Sequence, residues 1–226
     1  MVIEKPSAAD RLAIWLSTSR NVDGLWVGTM ESQPQAGLRR VGDALELIKR
    51  YNSLHYSRVI HNLDRVRVNI LPDAGACYQR SLNACVFDER FVRAETTTLE
   101  QIATSIIHEA THARLERWGV SYEEKLRPRI ETICLRRELA FGASLPDSAQ
   151  LQEDLARTVE WCAANPDYFS GARFRERDTQ GRITALRYLG TPDWIVRALQ
   201  KSLPVIFAVR RLVRRLKGRN NASSGR

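Results

Sequence analysis

The pattern His-Glu-Xaa-Xaa-His at residues 108–112 constrains this chain more than any other feature of its sequence. Side chains four residues apart lie on the same face of an α-helix, one turn from each other. His108 and His112 can therefore bind one metal ion together only if this segment is helical, with Glu109 beside them. The alternative is a helix face that carries two unrelated histidines.

The residues around the motif favour a helix. Thr97-Thr98-Leu99-Glu100 is typical of a capping box at a helix start, and Gly119 is typical of a helix end. Apolar residues recur between them with helical spacing. We therefore predict a helix from about Leu99 to Trp118, with the motif well inside it.

This spacing indicates a zinc site with hydrolytic chemistry. Imidazole nitrogens are common Zn²⁺ ligands, and a neighbouring glutamate can act as general base on a water molecule at the ion. A catalytic zinc needs a third protein ligand, and residues 113–120 contain no histidine. Glu131 and Glu138 follow on the next predicted helix, seven residues apart, so both can share one face. The residue pattern alone leaves either glutamate open as the third ligand.

A motif helix followed by a glutamate-bearing helix resembles the gluzincin, or thermolysin-like, group of zinc metallopeptidases. The resemblance covers about residues 84–146, which include a strand ahead of the motif helix. Residues 129–141 are also similar to bacterial HExxH proteins of uncharacterised activity. A strand in this position borders the active-site cleft in zincins, so the resemblance implies a zincin-like domain that acts on a peptide or protein substrate.

The resemblance also implies roles for individual residues. In gluzincins the ligand glutamate comes about twenty residues after the second histidine, which favours Glu131. The implied zinc ligands are His108, His112 and Glu131, and the implied catalytic base is Glu109. The group places an Asp four residues after the ligand glutamate to support the first histidine. Leu135 occupies that position here, so another residue must orient His108.

The remaining pattern predicts an α+β fold, a mostly helical zincin-like domain over residues 1–200 with a small antiparallel sheet beside the motif helix. Residues 65–71 and 84–87 read as two strands, antiparallel to each other. Residues 174–189 contain Asp178-Thr179-Gln180-Gly181, which predicts a hairpin turn.

Positive charge is concentrated at the C-terminal end. The formal net charge is +9, and residues 197–226 hold nine Lys and Arg with no acid, so residues 1–196 are balanced. We predict that residues 201–226 form a basic amphipathic tail, with its apolar stripe and arginines in residues 203–217. Such a helix either packs on the body or contacts an anionic membrane surface. Nucleic acid is not favoured, because no known reader motif is present.

The cysteine pattern and the first residues predict a cytoplasmic location, with the tail available to the inner membrane face. The four cysteines form no CxxC pair, and the N-terminus lacks the basic and apolar regions of an export signal, so we expect reduced thiols. The predicted function is that of a zinc-dependent hydrolase of the metallopeptidase type. The alternative is a non-catalytic adaptor or regulator on a zincin scaffold, which binds an anionic surface through the tail.

Overall fold

A computed structural model describes residues 5–31 and 34–199 of the chain. Of the structure, 66% is helical, and five strands form one small mixed sheet. The predicted α+β, mostly helical architecture is therefore confirmed. The tail at residues 201–226 lies outside the described residues, so its predicted helix and its role stay predictions.

Eight α-helices and five strands make up the main elements of the described ranges. The helices are α1 (Ala8–Leu16), α2 (Pro34–Tyr51), α3 (Ser53–Asn62), α4 (Glu89–Arg93), α5 (Leu99–Arg117), α6 (Arg127–Gly142), α7 (Ala149–Ala164) and α8 (Gly171–Tyr188). The strands are β1 (Thr18–Val22), β2 (Leu25–Thr29), β3 (Arg65–Asn69), β4 (Ala76–Gln79) and β5 (Ala84–Asp88). Residues 193–199 are also helical. Among the helices of these ranges, none combines the length and the apolar character needed to cross a bilayer.

The sheet is mixed, so the predicted antiparallel sheet is wrong. Its strand order is β1-β2-β3-β5-β4, with β2, β3 and β5 parallel and an antiparallel strand at each edge. Val66 of β3 lies opposite Cys85 of β5 in a parallel register. The physical reason is β4, a short half-buried strand that the sequence pattern did not reveal. It pairs antiparallel with β5 and reverses the chain, which makes β3 and β5 parallel neighbours.

The core lies between one face of the sheet and helices α2, α3 and α5. Alternate residues of the central strands point to this face, as expected for side chains of period two. Each buried aliphatic side chain stabilises the fold by about 1.5–3 kcal/mol relative to exposure. The fully buried core includes Val27, Val66, Val68 and Phe87 from the sheet, Val41, Leu45 and Ile48 from α2, and Ile102 and Ile106 from α5.

Helix α5 forms as predicted, with its cap one residue later than the pattern suggested. The Thr98 side chain accepts a hydrogen bond from the backbone N–H of Gln101, and the Gln101 side chain accepts one from the backbone N–H of Thr98. Gly119 follows the helix end with a left-handed φ of +77°. These caps satisfy backbone groups that would otherwise lack partners, and they fix the start and end of the motif helix.

The predicted hairpin at residues 174–189 is wrong, because this segment lies within the single helix α8. Gly181 serves close packing instead of a turn. A Cβ atom at this position would lie 1.5 Å from the carbonyl oxygen of Pro72. An ion pair of 3.0 Å between Arg177 and Asp73 fastens α8 to the same loop. The glycine that is typical of a turn in the sequence thus allows α8 to pack closely against the loop at Pro72.

Candidate metal centre

The two motif histidines meet on one face of α5, toward α6. Their ring centroids are 4.9 Å apart, and the two Nε2 atoms are separated by 3.1 Å. Both rings are largely buried, with side-chain exposures of 15% for His108 and 10% for His112. The helical spacing thus brings the two imidazole nitrogens together as the motif predicts.

Glu131 on α6 brings a carboxylate oxygen to these nitrogens. Its Oε2 atom lies 3.2 Å from Nε2 of His108 and 3.5 Å from Nε2 of His112. With the 3.1 Å between the two nitrogens, the three atoms form a nearly equilateral triangle. Ligand atoms around a tetrahedral zinc, at bond lengths of about 2.0–2.1 Å, are separated by about 3.3 Å. The donor set therefore fits three ligands of one zinc ion in both chemistry and spacing.

Glu138 lies behind His108 and not among the converging atoms. Its Oε1 atom is 2.5 Å from Nδ1 of His108, whose Nε2 atom points toward Glu131. A carboxylate on Nδ1 fixes the ring orientation and the tautomer that leaves Nε2 free for a metal. Glu138 is thus in the position to support His108, the role that Leu135 cannot fill.

We expect Glu138→Gln to weaken zinc binding by about 10- to 100-fold while leaving about one site per chain, since the amide loses the negative charge that raises the basicity of His108. Competition titration against a zinc chelator measures this affinity. Glu138→Asp, whose shorter side chain keeps the charge but not the reach, should fall between the wild type and Glu138→Gln. An unchanged affinity in both variants would remove Glu138 from this role.

Glu109 is buried, with 6% exposure, and no donor within the described ranges hydrogen-bonds to its carboxylate. Burial raises the pKa of Glu109, while the neighbouring His108 and His112 lower it in part. A raised pKa makes a carboxylate a better proton acceptor near neutral pH. The absence of a donor leaves its oxygens available to a water molecule at the metal centre.

Tyr122 is a site residue that was not predicted from the sequence. Its hydroxyl donates a hydrogen bond of 2.5 Å to Oε1 of Glu131, the oxygen that faces away from the histidines. Its ring packs edge-on against His112, with centroids 5.7 Å apart. Tyr122 therefore orients the carboxylate of Glu131 and covers one side of the centre. Its place in a short segment between two helices gives no recognisable pattern.

Cys134 is an alternative third donor near the two histidines. Its Sγ atom and one nitrogen of each of His108 and His112 lie within 4.8 Å of one another. Burial raises the pKa of Cys134, and the carboxylate of Glu131 raises it further, so the thiol stays protonated without a metal. Burial also raises the pKa of Glu131, but its contacts with His108 and His112 outweigh burial and hold it far below its ordinary value. The contacts of 3.2 and 3.5 Å to the two histidines and the ionised state of the carboxylate favour Glu131 as the ligand.

The centre has an excess of negative charge. Glu109, Glu131 and Glu138 are largely buried, and within the described ranges no Lys or Arg forms an ion pair with any of them. Although burial lowers the pKa of His108, the carboxylates of Glu138 and Glu131 raise it well above its ordinary value. A buried carboxylate is costly unless it takes up a proton or a cation compensates its charge. A proton on His108 supplies part of that charge, and a divalent ion would supply more.

Comparison with protein-family models, with curated proteins and with solved structures gives no match to this chain. The case for a function therefore depends on the geometry of the site.

Proposed function

We propose that this chain is a zinc-dependent hydrolase of the metallopeptidase type. His108, His112 and Glu131 hold the ion, and Glu109 is the general base. The observation that supports this most strongly is the triangle of Nε2, Nε2 and Oε2 atoms, with sides of 3.1, 3.2 and 3.5 Å. Three protein ligands leave a fourth position open for water or substrate, as in catalytic zinc sites.

In the proposed reaction, the ion and the protein have separate roles. When bound, zinc supplies a Lewis acid that polarises the substrate carbonyl and lowers the pKa of water. Glu109 accepts the proton from the attacking water and then donates it to the leaving amine. Glu138 and Tyr122 keep His108 and Glu131 in place through contacts of 2.5 Å each, so the ligands need little rearrangement during the reaction.

The edge strand β4 supports a peptide as the substrate. It lies at one edge of the sheet, after β5 in the strand order, and it packs beside α5. Cys77 on this strand is close enough to Glu109 for the carboxylate to raise the pKa of the thiol, in addition to the larger effect of burial. An edge strand presents unpaired backbone N–H and C=O groups to which an extended peptide can pair as a further strand. A peptide held there would pass close to the general base.

The alternative of a non-catalytic adaptor depends on the basic tail, which lies outside the described residues. Nothing in the described ranges favours it over a hydrolase. The cytoplasmic location likewise stays a prediction, consistent with four free cysteines.

Metal analysis and a peptide assay test the proposal together. We expect about one zinc per purified chain, and cleavage of a quenched-fluorescent peptide library that a chelator abolishes and added zinc restores. A chain that binds no zinc even after reconstitution would contradict the metal centre. Zinc binding without any cleavage of peptides would retain the centre and contradict the peptidase.

A further inference from the structure

A second site lies on a different face of α5 from the motif histidines. Helices α3, α5 and α6 enclose a pocket of about 60 Å³. Apolar side chains make up about half of its lining, which also includes three guanidinium groups, those of Arg58, Arg114 and Arg137. The imidazole of His55 and the indole of Trp118 line the same pocket. Each of the three helices contributes one arginine, so the cluster exists only in the folded chain.

Within the part of the chain that the structure describes, the three arginines have no acidic partner. In the described ranges, none of their guanidinium groups takes part in an ion pair or a hydrogen bond, whereas Arg177 elsewhere on the surface pairs with Asp73. The three charges lie close together because all three side chains line one pocket. Burial lowers the pKa of Arg58, and the positive charges of Arg114 and Arg137 lower it further. The sequence outside the described ranges contains a single acidic side chain, Glu4.

Clustered like charges are unfavourable unless an opposite charge joins them. Guanidinium groups are planar, permanently charged and well suited to bind phosphate oxygens in pairs. Their convergence on one small pocket, with no counter-charge from the described residues, is what an anion site requires. Burial lowers the pKa of His55 to about 4, so at neutral pH its ring is an uncharged hydrogen-bonding group in the lining of the same pocket.

We propose that this pocket binds the phosphate group of a phosphate monoester. Arg58, Arg114 and Arg137 contact the phosphate oxygens, and the ester group extends past Trp118. That indole is 65% exposed, and Arg114 already stacks on it at 4.2 Å from the ring centroid. An aromatic ester group can stack on the exposed part of the indole, so a nucleoside monophosphate should bind better than inorganic phosphate, by on the order of tenfold.

Calorimetric titration of the full chain with inorganic phosphate, adenosine monophosphate and adenosine tests this proposal. Because phosphate oxygens can also ligate zinc, each titration is run on zinc-loaded and on chelator-treated protein. Arg137→Ala should weaken phosphate binding at least about tenfold, since it removes one charge-assisted contact to the phosphate. The matched control is Arg136→Ala, which removes the same charge one residue away on α6, outside the pocket. Adenosine without its phosphate should not bind.

Vesicles of phosphatidic acid, compared with phosphatidylcholine vesicles, provide a lipid source of the same phosphate monoester. Loss of binding in Arg137→Ala but not in Arg136→Ala, with either the soluble or the lipid probe, would support the pocket and identify the source. Equal binding by the wild type and both variants would assign the phosphate to the tail or the metal and overturn the proposal. So would the absence of binding by every phosphate probe. Unchanged zinc content and thermal unfolding in both variants separate this result from any failure of the metal centre.

Discussion

Glu109→Gln is expected to keep its zinc and to lose peptide hydrolysis by about 10²- to 10⁴-fold, the contribution of a positioned general base. Glutamine has nearly the same shape as glutamate, but its amide cannot take up the proton of the attacking water. Glu109 contributes none of the three atoms that converge on the site, so the affinity for zinc should change little. The measurement is kcat/KM on a cleaved library peptide, with metal content determined on the same sample.

The matched control for this variant is Glu100→Gln, in the first turn of the same helix. It removes an equal charge from α5 far along the axis from the motif, and it should leave kcat/KM unchanged. Its expected cost is limited to about 0.3–1 kcal/mol of stability from the helix dipole. Full turnover by a zinc-loaded Glu109→Gln protein would take the base role away from Glu109.

Glu131→Gln is expected to weaken zinc binding by more than about 100-fold, beyond the 10- to 100-fold range of residues that only orient a ligand. The amide oxygen carries no charge, and the variant leaves two imidazoles as the remaining ligands. Hydrolysis should disappear at zinc concentrations that saturate the wild type. Competition titration with a chelator and inductively coupled plasma analysis of the purified protein measure the effect.

Cys134→Ala distinguishes the two possible donor sets, because Cys134 lies three residues after Glu131 on α6 and also near both histidines. With Glu131 as the ligand, this variant should bind zinc within a few-fold of the wild type. Cobalt substitution gives an independent readout, since a thiolate ligand adds an intense near-ultraviolet charge-transfer band. Such a band in the wild type, lost in Cys134→Ala, would show that a thiolate binds the ion and would contradict the donor set of His108, His112 and Glu131.

The parts of the site that local sequence determines could be predicted. The helix, its caps and the meeting of His108 with His112 follow from contacts within four residues along the chain. The placement of Glu131 and Glu138 could not be derived from the residues alone. Both lie on one face of α6, and only the packing of α6 against α5 puts one at Nε2 of the ring and the other at Nδ1.

The two wrong predictions of the fold, the antiparallel sheet and the hairpin at residues 174–189, also involve contacts between distant parts of the chain. The direction of β5 relative to β3 depends on β4, whose four residues are all half-buried and show no alternation. The pattern predicted a turn at Gly181, but this residue lies inside α8 and packs against the backbone of Pro72. That contact comes from a distant part of the chain, so no local pattern contains it. The arginine pocket also combines three helices from distant parts of the sequence.

The close contact at Gly181 connects α8 to the strand that lies beside the general base. Helix α8 rests directly on the backbone of Pro72, and the chain runs from there into β4, the strand next to Glu109. Any side chain at position 181 must push either the helix or this loop outward by more than an ångström. A substitution that touches no ligand and no base can therefore shift the segment that leads into β4, and with it the position of Cys77 relative to Glu109.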